Sequence, residues 1–248
     1  MTSAESTPAS SAPGEIFAST QWTVVLTAGQ QRTPQAARAL EELCRTYWYP
    51  LYAYVRRHGR TKEDAEDLTQ AFFVRLLEKN PLAGLDGERG KFRAFLLASL
   101  KHFLANERDK AQAQKRGGGA VNLSLDWGTA DTKFQVAATQ EPSPDRAFDR
   151  EWALALLAKV IDRLQSECAA EGKGNLFEQL KRFLTAGRAE SAQHEIAASL
   201  GMEEGAVRVA VHRLRKRYRQ LLRDEIANTL ADAALVDEEM RALFGAFS

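Results

Sequence analysis

The sequence predicts an all-α fold: two helical domains joined by a flexible linker, the second containing a helix-turn-helix. Apolar residues recur at spacings of three and four along most of the chain, and no segment has the alternating pattern of a half-buried strand. One long polar stretch, interrupted by Pro142 and Pro144, lacks any period and is typical of a linker. The predicted divisions are a disordered N-terminus (1–19), a helical domain (20–116), the linker (117–146), a helix-turn-helix domain (147–223) and a C-terminal helical extension (224–248).

The balance of charge limits the classes of function. The 248 residues include 34 Lys and Arg against 33 Asp and Glu, a net charge of +1. A protein that coats nucleic acid would be far more basic, so any nucleic-acid binding must depend on charge separated along the chain. Such separation is present: 208–223 is densely basic, whereas 63–67 and 237–239 are acidic.

Membrane, secretory and metal functions find little support. The two cysteines, Cys44 and Cys168, are far apart and lack metal-ligand spacing, so each is expected to be a small core residue. No apolar run approaches the ~20 residues of a membrane span, and the N-terminus lacks the basic and apolar regions of a secretory signal. We expect a cytoplasmic protein without cofactor, metal or small-molecule substrate. No acid–base pair or nucleophile triad indicates an enzyme.

The first domain is predicted to begin with a short apolar element at 20–30, for which helix is favoured, and to continue with three longer helical segments. Pro34 to His58 reads as one or two helices, with Pro50 as the interruption. Thr61 is an N-cap candidate for a helix from Lys62 to Lys79 that has an acidic side. Structurally, acids in a first turn suit the helix dipole; functionally, such a face could bind a basic partner.

A third helix is predicted from Lys91, after a Gly-rich loop at 80–90. It combines Phe and Leu residues with basic and amide side chains. These residue types suit single-stranded DNA, where bases stack and phosphates require cations. An ordinary amphipathic helix with a solvated basic face explains the composition equally well.

The second domain contains the stretch HEIAASLGMEEGAVRVAVHRLRKRYRQLL, from His194 to Leu222. It reads as a short helix ended by Gly201 and a second helix that is apolar on one side and cationic on the others. This arrangement suits insertion into a DNA major groove. A solvated basic face, or a membrane-surface or partner-binding helix, is the alternative. The tail beyond Leu222 is predicted to continue as helix.

These stretches resemble the bacterial sigma-70 family. The helix-turn-helix resembles region 4, while EDAEDLTQAFFVRLLE and GKFRAFLLASLKHFLANERD resemble the acidic and promoter-melting helices of region 2. Two such regions separated only by a linker resemble an extracytoplasmic-function (group 4) sigma factor. The resemblance implies that the chain binds core RNA polymerase and promoter DNA, and it allows an anti-sigma factor as a further partner.

The resemblance also implies three sets of site residues. The polymerase-binding set is Asp64, Asp67 and Gln70. The set for the proximal promoter element and its melting is Lys91, Arg93, Lys101, His102, Asn106 and Arg108. The set for the distal promoter element is Arg208, Val209, His212, Arg213, Arg215 and Lys216.

Three features depart from the family pattern. Phe95, Leu96 and His102 stand near the places of the family's Trp-Leu pair and later Asn, the segment 171–187 lengthens region 4, and the tail from Asp224 extends past its usual end. Because the tail mixes acidic and apolar residues, it is a candidate for a regulatory element that covers a binding surface.

Two other functions fit parts of the sequence. A stand-alone helix-turn-helix regulator would bind duplex DNA without polymerase. A helical adaptor that binds only protein would not depend on Arg208 or Arg213 for any DNA contact.

Overall fold

The computed structural model describes residues 33–78, 91–113, 130, 134, 143–185 and 190–248. Within these ranges the chain forms helices and no strand, which confirms the all-α class. None of the helices in this part is long and apolar enough to cross a membrane. The predicted N-terminal disorder, the apolar element at 20–30, the loop at 80–90 and most of the predicted linker lie outside the described residues.

We number the helices in chain order. They are α1 (Pro34–Arg57), α2 (Lys62–Glu78), α3 (Phe92–Ala113), α4 (Pro144–Ala170), α5 (Gly174–Leu180), α6 (Arg182–Thr185), α7 (Glu190–Leu200), α8 (Glu204–Ala227) and α9 (Val236–Gly245), with a 3₁₀ turn at Ala233–Leu235.

Helix α1 runs without a break through Pro50, so the predicted interruption at this residue is wrong. Proline has no N–H, and the carbonyl of Thr46 therefore receives no intrahelical hydrogen bond from residue 50. The helix nevertheless continues, because the residues around the proline are needed in the core: Tyr49, Leu51 and Tyr52 are all buried. Tertiary packing here outweighs the local cost of the proline.

A larger core joins helices from both sides of the predicted linker. Helix α4 packs along α1, and the Nε1–H of Trp152 donates to the hydroxyl of Tyr47 at 3.0 Å. Within the linker itself, Ala130 is buried and Phe134 lies 4.6 Å from the guanidinium of Arg56. The domain boundaries and the flexibility of the linker stay predictions.

A smaller core lies under the two helices predicted to form a helix-turn-helix, α7 and α8. It joins α5 and α6 to α7 and the first half of α8 through six buried residues. These are Leu180, Phe183, Ile196, Ala197, Val207 and Val211.

The C-terminal extension folds back onto the start of α3. The expected continuous helix is wrong at 228–235, where the chain turns after Ala227 before α9 begins. The carbonyl of Thr229 accepts a hydrogen bond from the Phe92 N–H at 3.0 Å, and Leu230 forms an isolated antiparallel bridge with Lys91. Leu230 and the α9 residue Leu243 are fully buried, so the extension is part of the larger core.

Candidate polymerase and nucleic-acid interfaces

The acidic face of α2 is presented to solvent. The hydroxyl of Thr61 accepts a hydrogen bond from the Asp64 N–H at 3.1 Å, as the predicted N-cap requires. Asp64 and Asp67 are exposed, and Gln70 is half-buried one turn further along. Among the described residues, neither Asp64 nor Asp67 makes a salt bridge, and both carboxylates lie on the exposed side of α2.

The start of α3 is arranged differently, because its cations are already paired. Lys91 Nζ lies 2.7 Å from a Glu238 oxygen and 3.0 Å from a Glu239 oxygen. Arg93 donates to both oxygens of Glu239, at 2.8 and 3.3 Å, and also to Asp149. Glu239 is only 1% exposed, so this carboxylate is enclosed by its two cationic partners.

Burial and pairing act in opposite directions on these cations. Burial alone would lower the pKa of Lys91, but hydrogen bonds to Glu238 and Glu239 outweigh it and raise that pKa above its ordinary value. Burial likewise opposes the charge of Arg93, and Glu239 with Asp149 overcomes it, so the pKa of Arg93 is also raised. Both side chains are therefore charged at neutral pH.

Two further contacts hold the middle of this surface. The guanidinium of Arg93 lies 4.3 Å from the ring of Trp152, a cation–π contact at the base of the ion pairs. Lys101, two turns later on α3, lies 2.8 Å from Asp145 at the start of α4. The hydrogen bond with Asp145 raises the pKa of Lys101.

The second half of α3 borders a cavity of about 300 Å³ beside α2. His102 and Asn106 line it, together with Phe72, Arg75 and Phe103. The rings of Phe72 and Phe103 are 5.7 Å apart in an edge-to-face arrangement. His102, Asn106 and Arg108 are exposed, and within the described ranges none of them forms a salt bridge.

The turn between α7 and α8 has the predicted geometry. Gly201 has φ of +62°, the left-handed conformation that ends a helix at least cost when there is no Cβ. The Met202 N–H then donates to the carbonyl of Ala197 at 2.9 Å. Across the turn, His194 Nδ1 lies 2.7 Å from a carboxylate oxygen of Glu204, which fixes the start of α8 against α7.

The six residues predicted for the distal promoter element occupy different parts of the surface of α8. Arg208, His212 and Lys216 are exposed and make no salt bridge with the described residues. Val209 and Arg213 line a mainly apolar cavity of about 600 Å³ that α8 forms with α4 and α5. Arg215 is half-buried and donates to the carbonyl of Phe183 at 2.9 Å.

Sequence reasoning missed the acidic partners of α3 and the aromatic wall of the smaller cavity. The acidic block at 237–239 was visible, but nothing local indicates that Glu239 lies against Arg93, 146 residues away. Phe72 and Phe103 are core residues by their periodicity, and only the packing of α2 on α3 shows that they also line a cavity.

Among the described residues, no group of three or more His, Cys, Asp or Glu side chains is placed to hold a metal ion. Burial raises the pKa of the Cys44 thiol, which disfavours the thiolate needed for nucleophilic attack or metal binding.

The comparisons with known proteins agree with the first half of this description. Residues 43–114 match the family model of sigma-70 region 2, a range that runs from within α1 to the end of α3. Neither the curated proteins nor the solved structures gave a significant match to the chain. The match covers less than half of the chain and shows similarity of this segment to sigma-70 region 2.

Proposed function

We propose that the chain is an extracytoplasmic-function (group 4) sigma factor that binds core RNA polymerase and directs promoter recognition, DNA melting and transcription initiation. The observation that carries this proposal is the match of 43–114 to sigma-70 region 2. A helix-turn-helix with a basic second helix, in the same chain and after that region, supports it.

In this proposal the polymerase binds the acidic face of α2. The exposed carboxylates of Asp64 and Asp67 offer a negative surface, with the Gln70 amide beside it. Complementary charge of this kind favours encounter with a basic partner and penalises wrong ones.

The cavity beside α2 would receive an unpaired base of the melted promoter. Its Phe72 and Phe103 rings offer apolar surface, and Asn106 offers an amide that both donates and accepts hydrogen bonds. Arg75 and Arg108 would attract the backbone of the displaced strand. Unstacking a base costs a few kcal/mol, which is least at weak steps of the duplex.

The distal promoter element would be bound by α8. The exposed Arg208, His212 and Lys216 lie on a helix whose opposite side is held by the smaller core. Contacts to phosphates would position the helix, and contacts to base edges would give specificity. Arg215 supports α6 in the free protein, so a phosphate contact would require it to leave the Phe183 carbonyl.

The test is retention of purified core RNA polymerase by the immobilised full chain. Asp67→Arg should reduce retained polymerase about tenfold or more, because charge reversal brings like charges together at the interface. Asp162→Arg is the matched control, since Asp162 is an exposed aspartate on α4, outside the proposed face. Circular dichroism of both variants would verify that they fold.

Each outcome separates the candidate functions. Retention lost only in Asp67→Arg supports the proposal. Retention that survives in Asp67→Arg moves the polymerase site away from this face. A wild-type chain that binds duplex DNA but never core polymerase would instead be a stand-alone regulator.

A further inference from the structure

The cations at the start of α3 have acidic partners from the C-terminal half of the chain. Asp145 and Asp149 lie in the first turns of α4, while Glu238 and Glu239 lie in the first turn of α9. These four carboxylates pair with Lys91, Arg93 and Lys101. We call this set of ion pairs the autoinhibitory contact.

The geometry at Arg93 is that of an anion site. Its guanidinium holds the two oxygens of Glu239 and adds a contact to Asp149, with only 17% of the side chain exposed. Arginine binds carboxylate and phosphate with the same planar fork of donors. A DNA phosphate would therefore compete with Glu239 for the same atoms.

The backbone holds α9 over this site. The hydrogen bond from Phe92 to Thr229 and the bridge between Lys91 and Leu230 fix the turn before α9 against α3. Arg223 of α8 binds Asp237 at 2.6 Å, beside the two glutamates. The covering residues are thus placed by packing and by hydrogen bonds as well as by charge.

We propose that the autoinhibitory contact keeps the start of α3 closed to DNA, and that α9 must move before Lys91 and Arg93 bind phosphates. The inference rests on the proposed function, since it concerns regulation of the same DNA surface. His102, Asn106 and Arg108 lie beyond the covered part of α3. In the free chain the cavity proposed for an unpaired nucleobase is therefore open, while the cations proposed to bind DNA phosphates are paired with carboxylates.

Closure of this kind lowers the apparent affinity for DNA. The apparent dissociation constant rises by the inverse of the open fraction, so a chain that is ~10% open binds ~10 times more weakly than an open one. Neutralising Glu239 should raise the open fraction and with it the affinity.

The test compares three full-length proteins in binding a fluorescent, A·T-rich single-stranded oligonucleotide at fixed salt. Glu239→Gln should bind about tenfold more tightly than the wild type. Asp162→Asn is the matched control, because it also removes one negative charge, from an exposed position of α4 that takes no part in the autoinhibitory contact. Its affinity should stay within about twofold of the wild type, since the ion pairs that cover Lys91 and Arg93 remain intact.

A second variant and a second measurement keep the test decisive. If Glu239→Gln fails to fold, Glu238→Gln combined with Asp145→Asn opens the contact at exposed positions, where 57% and 55% of the side chains are accessible. In the wild type, binding of the oligonucleotide should increase amide hydrogen exchange in 236–245.

The proposal is overturned by equal affinity of the opened variant, the wild type and the control. It is also overturned if no protein binds the oligonucleotide, or if the wild type binds while exchange in 236–245 is unchanged. Core polymerase retention is measured on the same wild-type protein. Retention with equal DNA affinities would reject the autoinhibitory contact alone, whereas DNA-dependent opening without retention would reject the sigma function alone.

Discussion

Helices α3 and α8 carry similar basic residues, but those at the start of α3 are paired with carboxylates whereas several on α8 are exposed to solvent. At the start of α3, Lys91 and Arg93 are largely buried and paired with carboxylates brought from α4 and α9. Along α8, Arg208, His212 and Lys216 are exposed to solvent and form no salt bridge within the described part of the chain. Composition alone does not distinguish these two surfaces.

The difference teaches that a cation's availability depends on which core lies beneath it. Helix α3 belongs to the larger core, to which α4 and α9 also contribute, and these two helices bring their carboxylates to Lys91 and Arg93. The first half of α8 contributes Val207 and Val211 to the smaller core, and among the described residues no carboxylate forms a salt bridge with Arg208, His212 or Lys216. A phosphate can bind a solvated cation directly, whereas it must displace a carboxylate from a paired one.

The largest effect, on the free energy of unfolding, is expected from truncating Trp152, which lies beneath the ion pairs at the start of α3. Trp152 is fully buried, binds Tyr47 and lies under Arg93. Trp152→Ala should lower the free energy of unfolding by about 3–5 kcal/mol, because it leaves a cavity in the larger core. Urea denaturation followed by circular dichroism measures this change.

Leu154→Ala is the control on the same helix. Leu154 is 43% exposed, and its truncation should change the free energy of unfolding by at most about 0.5 kcal/mol. Similar losses in the two variants would contradict the placement of Trp152 at the centre of the contact between α1, α3 and α4.

A smaller effect, on the salt dependence of DNA affinity, is expected when an unpaired and a paired cation of α8 are compared. Lys216 is exposed and without a salt bridge, whereas its neighbour Arg217 donates to both oxygens of Glu167 at 2.7 and 2.8 Å. If Lys216 contacts a phosphate, Lys216→Ala should reduce the slope of log affinity against log salt by about 1. Titrations of a mixed-sequence duplex at several salt concentrations give this slope.

Arg217→Ala provides the contrast, because its guanidinium is already occupied by a carboxylate. The slope for this variant should stay close to that of the wild type. Equal reductions in both variants would show that pairing in the free chain does not decide which cations meet DNA.

Local patterns were sufficient for the fold class and for several helix ends. The 3.6-residue period gave the helices, the Thr61 cap gave the start of α2, and Gly201 gave the end of α7. These features depend on residues within one or two turns of each other. The continuity of α1 through Pro50 and the turn at 228–235 were not predicted. Both depend on packing against parts of the chain that are distant in sequence.

The candidate site divides in the same way. Exposure of the acidic face of α2 follows from the period of its own helix, so its residues could be found without a structure. The pairing of Arg93 with Glu239 joins residues 146 positions apart, and no local pattern carries that information. The resemblance to a family assigned roles to the cations of α3. It did not predict that these cations are paired with carboxylates, because the pairing depends on how the C-terminal extension packs in this chain.

The smallest effect on the free energy of unfolding is expected from removing a single ion pair between α9 and α3, that of Glu238 with Lys91. The hydrogen bond from Lys91, followed by the charge of Lys91, lowers the pKa of Glu238 below the 4.5 of a free glutamate. A carboxylate whose pKa is lowered on folding stabilises the folded state above its unfolded pKa, and this contribution is lost as pH falls through the folded pKa. Lys91, with a raised pKa, stays charged throughout that range.

The measurement is therefore the difference in free energy of unfolding between wild type and Glu238→Gln. This difference should favour the wild type at pH 7, decline as pH falls below about 4.5, and disappear below the lowered pKa of the folded Glu238 carboxyl, where that group is also neutral. At pH 7, raising the salt concentration to about 1 M should reduce the same difference, because the pair is partly exposed and ions screen it. A difference that is constant across pH would mean that Glu238 acts through packing, and that charge holds α9 on α3 only through the buried Glu239.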